Sequence, residues 1–194
     1  MIDISDTIMY LNYYKKILYL LFLKKLKKLD YTGRIEDDNP ELRGYEGCYP
    51  IYRVLRRVEP TKYDSILDIG CGKGLFLYYA SKFEFNRIDG IEYSAELADI
   101  ALKNAVKIND KRINVINCDA RDFQQYDNYN YFFINNPFSA AITERLVGKI
   151  CNSYQKKRRK ITIIYQFPFH KNIFISNGFV EAYEKYPNCV LLLE

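Results

Sequence analysis

The segment Asp68-Ile69-Gly70-Cys71-Gly72-Lys73-Gly74 sets three glycines at alternate positions behind a carboxylate. Glycine accepts the tight backbone of such a loop, and without a Cβ it lets a ligand approach the main chain. The spacing departs from the dinucleotide fingerprint G-x-G-x-x-G, because position 75 is Leu75, and no G-x-x-x-x-G-K-[ST] run exists for a P-loop. Glu92 follows 18 residues after Gly74, at a position where a carboxylate accepts from both hydroxyls of a ribose. Asp119, in Cys118-Asp119-Ala120, is of the type that accepts from an adenine amino group. A fourth stretch, Phe132 to Ser139 (FFINNPFS), runs from apolar residues into Asn135-Asn136-Pro137-Phe138. Amides and a proline at a strand end serve as turn chemistry or as polar acceptors that face a substrate.

These residues need elements that bring them together. Ser65–Gly70, Arg87–Glu92, Ile113–Asp119, Tyr129–Asn135 and Ile161–Phe167 read as short, nearly continuous apolar strands, and each candidate site residue stands at or just beyond a strand end. Helical patterns lie between them, over 75–83, 94–109 (with Ser94 as N-cap and Leu97 at N3) and 140–154. A shorter helix is expected from Pro50 to about Val58. The tail, 179–186 and 190–194, reads as two strands around Pro187-Asn188, a hairpin. Alternating β and α with apolar strands implies an α/β fold. The expected architecture is a doubly wound, mostly parallel seven-stranded sheet with an antiparallel C-terminal hairpin strand. Ligands of such sheets bind outside the carboxyl ends of the strands.

At 194 residues with 48% hydrophobic and 27% charged side chains, the chain suits one soluble domain and a short appendage. The formal charge of +5 is unevenly spread: residues 1–34 carry seven Lys/Arg against three Asp/Glu, and the other 160 carry 22 against 21. A nearly neutral main domain speaks against a nucleic-acid groove. The division is therefore a basic, amphipathic helical arm at 1–34 and a domain at 35–194. In the arm, Leu11, Tyr14, Leu18, Leu21 or Phe22, Leu26 and Leu29 recur at helical spacing between lysines. The apolar run Ile17 to Leu23 is far short of a bilayer span, and no small-residue cleavage site follows it. The arm is expected to dock on the domain or on a second subunit; the alternative is a helix lying on an anionic membrane surface. Five cysteines without C-x-x-C and a single histidine, His170, argue against zinc or any other metal site and for a reducing, cytoplasmic setting, peripheral at the membrane if the arm binds lipid.

LDIGCGKG, IDGIEYS, NCDARDF and FFINNPF, in this order, resemble the four motifs of the class I S-adenosylmethionine-dependent methyltransferases, specifically small bacterial ones of unassigned substrate. The resemblance covers about Ile51 to the C-terminus. It implies S-adenosyl-L-methionine as cofactor, with Asp68, Gly70, Cys71, Gly72 and Gly74 at the methionine end. Glu92 would hold the ribose, and Asp119 with Ala120 would frame the adenine. It also implies that the fourth strand ends beside the transferable methyl. There Asn135 would contact the cofactor and orient the acceptor, Asn136 would accept through its carbonyl, and Pro137 would fix that carbonyl's direction. Phe138 would stack on a planar acceptor or line the channel around the sulfonium. Amino-methyltransferases carry Asn-Pro-Pro-Tyr/Phe at this strand end, from which the chain departs at Asn136.

The resemblance also implies a lid over the cofactor from the segment before the first strand, with Tyr45, Tyr49 and Tyr52 in it and Tyr45 and Tyr49 as substrate contacts; the alternative is core and loop packing in a chain with 19 tyrosines. His170 is a candidate base or a loop residue, and Lys156–Lys160 a phosphate contact or a solvated helix end. The expected function is methyl transfer to an amine or amide nitrogen of a protein or small molecule, the acceptor itself being unassigned. The alternatives are an O-methyltransferase of a small molecule or sugar, or a non-catalytic cofactor-binding or membrane-associated protein.

Overall fold

A computed structural model describes residues 4–33, 45, 47–135 and 138–194 of the chain, with side chains from Tyr13 onward. Its strands are β1 (Ser65–Ile69), β2 (Arg87–Glu92), β3 (Ile113–Asn117), β4 (Tyr131–Ile134), β5 (Ile161–Gln166), β6 (Val180–Lys185) and β7 (Asn188–Leu193). They form a seven-stranded sheet in the order β3-β2-β1-β4-β5-β7-β6. The first five pair in parallel, and β7 runs antiparallel to both β5 and β6. The expected sheet and C-terminal hairpin are therefore present, with the second hairpin strand inserted next to β5 and the first left at the edge.

The helices are α1 (Ile4–Lys27), α2 (Tyr52–Val58), α3 (Leu75–Ala80), α4 (Ala95–Ile108), α5 (Ala140–Lys156) and α6 (Lys171–Ser176). Ser94 caps α4 as its sequence suggests, its Oγ accepting from Leu97 N at 3.4 Å, and Ser139 caps α5 from Ile142 N at 3.4 Å. Two arginines set boundaries that the apolar pattern misplaces. The Arg112 guanidinium binds the carbonyls of Ser81, Phe83 and Phe85, so α3 ends at Ala80 and the chain turns toward β2. Arg159 binds the carbonyls of Tyr126 and Tyr129, which holds 126–128 as one turn of 3-10 helix and delays β4 to Tyr131. Arg159 thus faces inward from the run KKRRK. Helix α6, of six residues, is too short to announce itself by periodicity.

Pleat alternation sorts the strand side chains onto two apolar layers. Ile66, Ile88, Phe133 and Ile164 face α2, α3 and the docked arm, from which Leu20 and Leu23 join the same cluster. Leu67, Ile69, Ile91, Phe132, Ile134 and Ile163 face α5 and α6. The rings of Phe76 and Phe133 stack with centroids 3.8 Å apart and planes within 2°, clamping α3 to the centre of the sheet. Among the described residues no helix is long and apolar enough to cross a membrane.

Phe133→Ala removes a ring that is 1% exposed beneath the end of β4. It is expected to lower stability by about 3–5 kcal/mol, read as a fall in the urea midpoint at constant m. A loss under about 1 kcal/mol would contradict the packing described.

Candidate active site

The strand order reverses between β1 and β4, so the crevice of this sheet opens at their carboxyl ends. Ile69 pairs with Ile91 on one side and Ile134 on the other, and Ile134 pairs with Tyr165. Glu92, Gly70, Asn135 and Gln166 consequently leave the sheet side by side.

The loop after β1 uses glycine where its backbone demands it: Gly70, Gly72 and Gly74 have φ of 78°, 53° and 79°. Gly70 and Cys71 donate to the Ile91 carbonyl at 3.0 and 2.9 Å, and Gly72 N donates to Glu92 Oε2 at 2.8 Å. Glu92 Oε1 accepts from Ser94 N at 2.9 Å, so one carboxylate ties the glycine loop to the start of α4. A Cβ on Gly90 would stand 2.7 Å from Cys71 Sγ, which explains the glycine inside β2 and gives Cys71 a packing role. Asp68 is buried at the end of β1. Desolvation, and then the charge of Glu92, hold its carboxyl well above the usual range.

Asp119 and Ala120 lie just beyond β3, as expected, but the Asp119 carboxylate is already gripped. Arg121 donates from Nε at 3.0 Å and from Nη2 at 2.7 Å, and its backbone N from 2.7 Å. These bonds to Arg121 hold the Asp119 carboxyl below its ordinary value. Ala120 and Arg121 share a small cleft with Ile142, Arg145, Leu146 and Lys149.

The two tyrosines of the segment before α2 take different places. Tyr45 is buried against the glycine loop, so close that a Cβ on Gly72 would meet its ring at 2.3 Å. Its hydroxyl donates to the Tyr31 carbonyl at 2.9 Å, and burial pushes the phenol well above its usual range. Tyr49 lies on the β5 side. Its N donates to Gln166 Oε1 at 2.6 Å, its ring meets Phe167 edge-on at 5.5 Å, and Lys16 Nζ sits 4.4 Å from the ring centroid. Asn135 is half-buried directly after β4. The Phe138 ring is buried in the apolar layer with Ile142 and Leu146. Asn136 and Pro137 lie outside the described residues.

Several positioning residues were not singled out from sequence. Gln166 is wholly buried and holds the Tyr49 backbone; an amide closing an apolar strand was the available signal. Asn104, 1% exposed on α4, donates to the carbonyls of Asp30 and Lys73 and accepts from Asp30 N. Lys73 Nζ reaches the Thr32 carbonyl at 2.6 Å. The end of the arm is therefore fastened to the glycine loop. His170 sits at the N-cap of α6, without a side-chain cap bond. Among the described residues no group of His, Cys, Asp and Glu is arranged to hold a metal ion.

Three carboxylates thus stand at adjacent strand ends, beside a loop in which a side chain at Gly72 would collide with Tyr45 and a crevice at the switch point. The architecture is that of a Rossmann-like domain. Residues 66–154 match the family described as "Methyltransferase domain". The curated "Probable (S)-tetrahydroprotoberberine N-methyltransferase 2" of Papaver bracteatum is 32% identical over 58% of this chain and 40% of its own length. The chain thus spans under half of that relative. An RNA methyltransferase from Salinibacter ruber, solved with S-adenosyl-L-homocysteine, superposes with a TM-score of 0.60 at 14% identity, over 76% of this chain and 92% of its own. A SAM-dependent methyltransferase from Aquifex aeolicus gives 0.57 at 16% identity, over 73% and 88%. Residues 66–154 are thus similar to a methyltransferase domain, and the chain shares its fold with solved S-adenosylmethionine-dependent methyltransferases.

Glu92→Ala removes the carboxylate that braces Gly72 and Ser94 and is expected from the sequence to meet the ribose. S-adenosylhomocysteine binding, followed by calorimetry, is expected to weaken about 10- to 100-fold. Unchanged affinity would take Glu92 out of the site.

Proposed function

We propose that this chain is a methyltransferase whose acceptor atom is an amine or amide nitrogen. When bound, S-adenosyl-L-methionine would supply an electrophilic methyl on a sulfonium, with S-adenosylhomocysteine as the leaving group and the proton of the methylated nitrogen passing to water. The protein's task is to align a free lone pair and keep water away. Asp68, Glu92 and the Gly70–Gly74 loop hold the cofactor, with Asp119 and Ala120 at the adenine end. Since Asp119 has two oxygens, an adenine amino group shares it with Arg121 or displaces one of that side chain's bonds.

The observation that carries the nitrogen reading is the position of Asn135. It leaves β4 between Gly70 on β1 and Gln166 on β5, at the reversal point of the sheet. The Gln166 amide is occupied by Tyr49 and Asn188, so among the described residues Asn135 is the neighbouring amide to which we assign the acceptor N–H. An oxygen acceptor would instead call for a base. Of the neighbouring carboxylates, Glu92 is bonded to backbone amides, Asp119 to Arg121, and Asp68 is buried. Tyr49, fixed by Gln166 beside Phe167, provides an aromatic wall on the acceptor side. Five free cysteines, three of them buried, support a reducing cytoplasm as the setting.

Labelled-methyl transfer to a panel of amines, amides and hydroxyl compounds tests this reading. Asn135→Ala is expected to lower kcat by about 10²-fold on the responding amine, with S-adenosylhomocysteine affinity changed far less. Equal loss in both would make Asn135 a cofactor or structural residue. Turnover confined to hydroxyl acceptors, falling with His170→Ala, would overturn the nitrogen assignment.

A further inference from the structure

Helix α1 uses its two sides for different purposes. One side faces the domain: Leu20 and Leu23 are 7% and 1% exposed, and Lys16, also buried, lies over Tyr49. The opposite side is apolar too, yet it faces outward. Tyr14, Leu18, Leu21, Phe22 and Leu26 fall on one broad stripe at helical spacing, with Leu18 and Leu26 about two-thirds exposed. Residues 13–29 contain six lysines and no Asp or Glu. Of these, Lys15, Lys25 and Lys28 are exposed on or beside the stripe, whereas Lys24 and Lys27 bond to Thr32 and Tyr78.

We propose that this face of α1 docks the protein on an anionic lipid surface, the helix lying in the interfacial plane. Three observations choose this occupant. The exposed stripe mixes leucines with Tyr14 and Phe22, whose rings favour the headgroup boundary, and lysine stems extend apolar surface while their ammonium groups rise to phosphates. Over residues 13–29 the charge is of one sign. A second copy packed on it would bring lysine against lysine with no carboxylate from residues 13–29 to pair them, and the chain beyond the arm, 22 cations against 21 anions, has almost no net charge to compensate. Anionic headgroups supply the missing charge. Finally, the helix is already held by its other face, so binding requires no new folding. Its 24 residues give a rod about 36 Å long.

The same docking orients the active site. Lys16 contacts Tyr49, which Gln166 holds beside the end of β4, and Asp30 to Thr32 fasten the helix to the glycine loop. A membrane under the outer face of α1 therefore lies close to the mouth of the crevice, within reach of an acceptor carried in that surface.

Flotation of the full chain with vesicles provides the test. Binding to phosphatidylglycerol/phosphatidylcholine vesicles, absent on phosphatidylcholine alone and weakened by high salt, is the expected result. The double change Leu18→Glu/Phe22→Glu is expected to reduce partitioning about tenfold or more. Its circular dichroism and S-adenosylhomocysteine affinity should stay at the wild-type values, since both positions are outside the core. Lys15→Glu/Lys25→Glu is expected to abolish the preference for anionic lipid. No flotation with phosphatidylglycerol vesicles, or equal flotation on both vesicle types, would overturn the proposal. So would a dimer in sedimentation equilibrium that Leu18→Glu/Phe22→Glu dissociates.

Discussion

The carboxylate of Glu92 is the joint on which the site depends. One oxygen accepts from Gly72 and the other from Ser94, so the loop after β1 and the start of α4 are fixed to the end of β2. The loop needs this brace because three of its residues sit in left-handed backbone, a conformation local preference alone does not hold in one arrangement. With the brace in place, Gly72 presents bare backbone where a side chain would collide with Tyr45. A carboxylate placed there also raises the cost of ionising Asp68 next to it.

On the acceptor side the scaffold is polar in a different way. Gln166 closes an apolar strand yet is fully buried, which is tolerated because its amide is satisfied by Tyr49 and Asn188. That exchange of hydrogen bonds turns a loop tyrosine into a fixed wall. Tyr45 and Tyr49, four residues apart, end up on opposite sides of the crevice, one over the glycine loop and one beside β5.

Much of this was legible because strands buried on both faces have no choice but to be apolar. SILDI, RIDGIE and ITIIYQ give their positions away, and the residues that end them are then site candidates by topology alone. The glycine loop and Glu92 could be read because their residue types answer local demands. What escaped was the long-range polar bonding. Arg112 and Arg159 look like surface charges in the sequence, whereas each collects backbone carbonyls from distant turns and moves an element boundary. Asp119 was legible by position but not by partner. Arg121, two residues on, is as compatible with a solvated turn as with the grip it takes. Phe138 read as a stacking surface because its strand ends at the site, yet the apolar face of α5 draws it into the core.

The arm explains why the charge of this chain is so unevenly placed. Its inner face must match an apolar layer and the polar edge of the glycine loop, and it does so through Leu20, Leu23, Asp30 and the bonds to Asn104 and Lys73. Those contacts account for one side of the helix and for Lys16, Lys24 and Lys27. They do not account for an outer stripe of Tyr14, Leu18 and Phe22, which a helix facing only water would exchange for polar residues at no structural loss. Nor do they account for cations concentrated there while the domain stays neutral. Both features follow if the outer face meets a surface that is apolar inside and anionic at its rim. The bonds that fasten residues 30–32 to the glycine loop then place the cofactor crevice beside that surface rather than across the molecule from it.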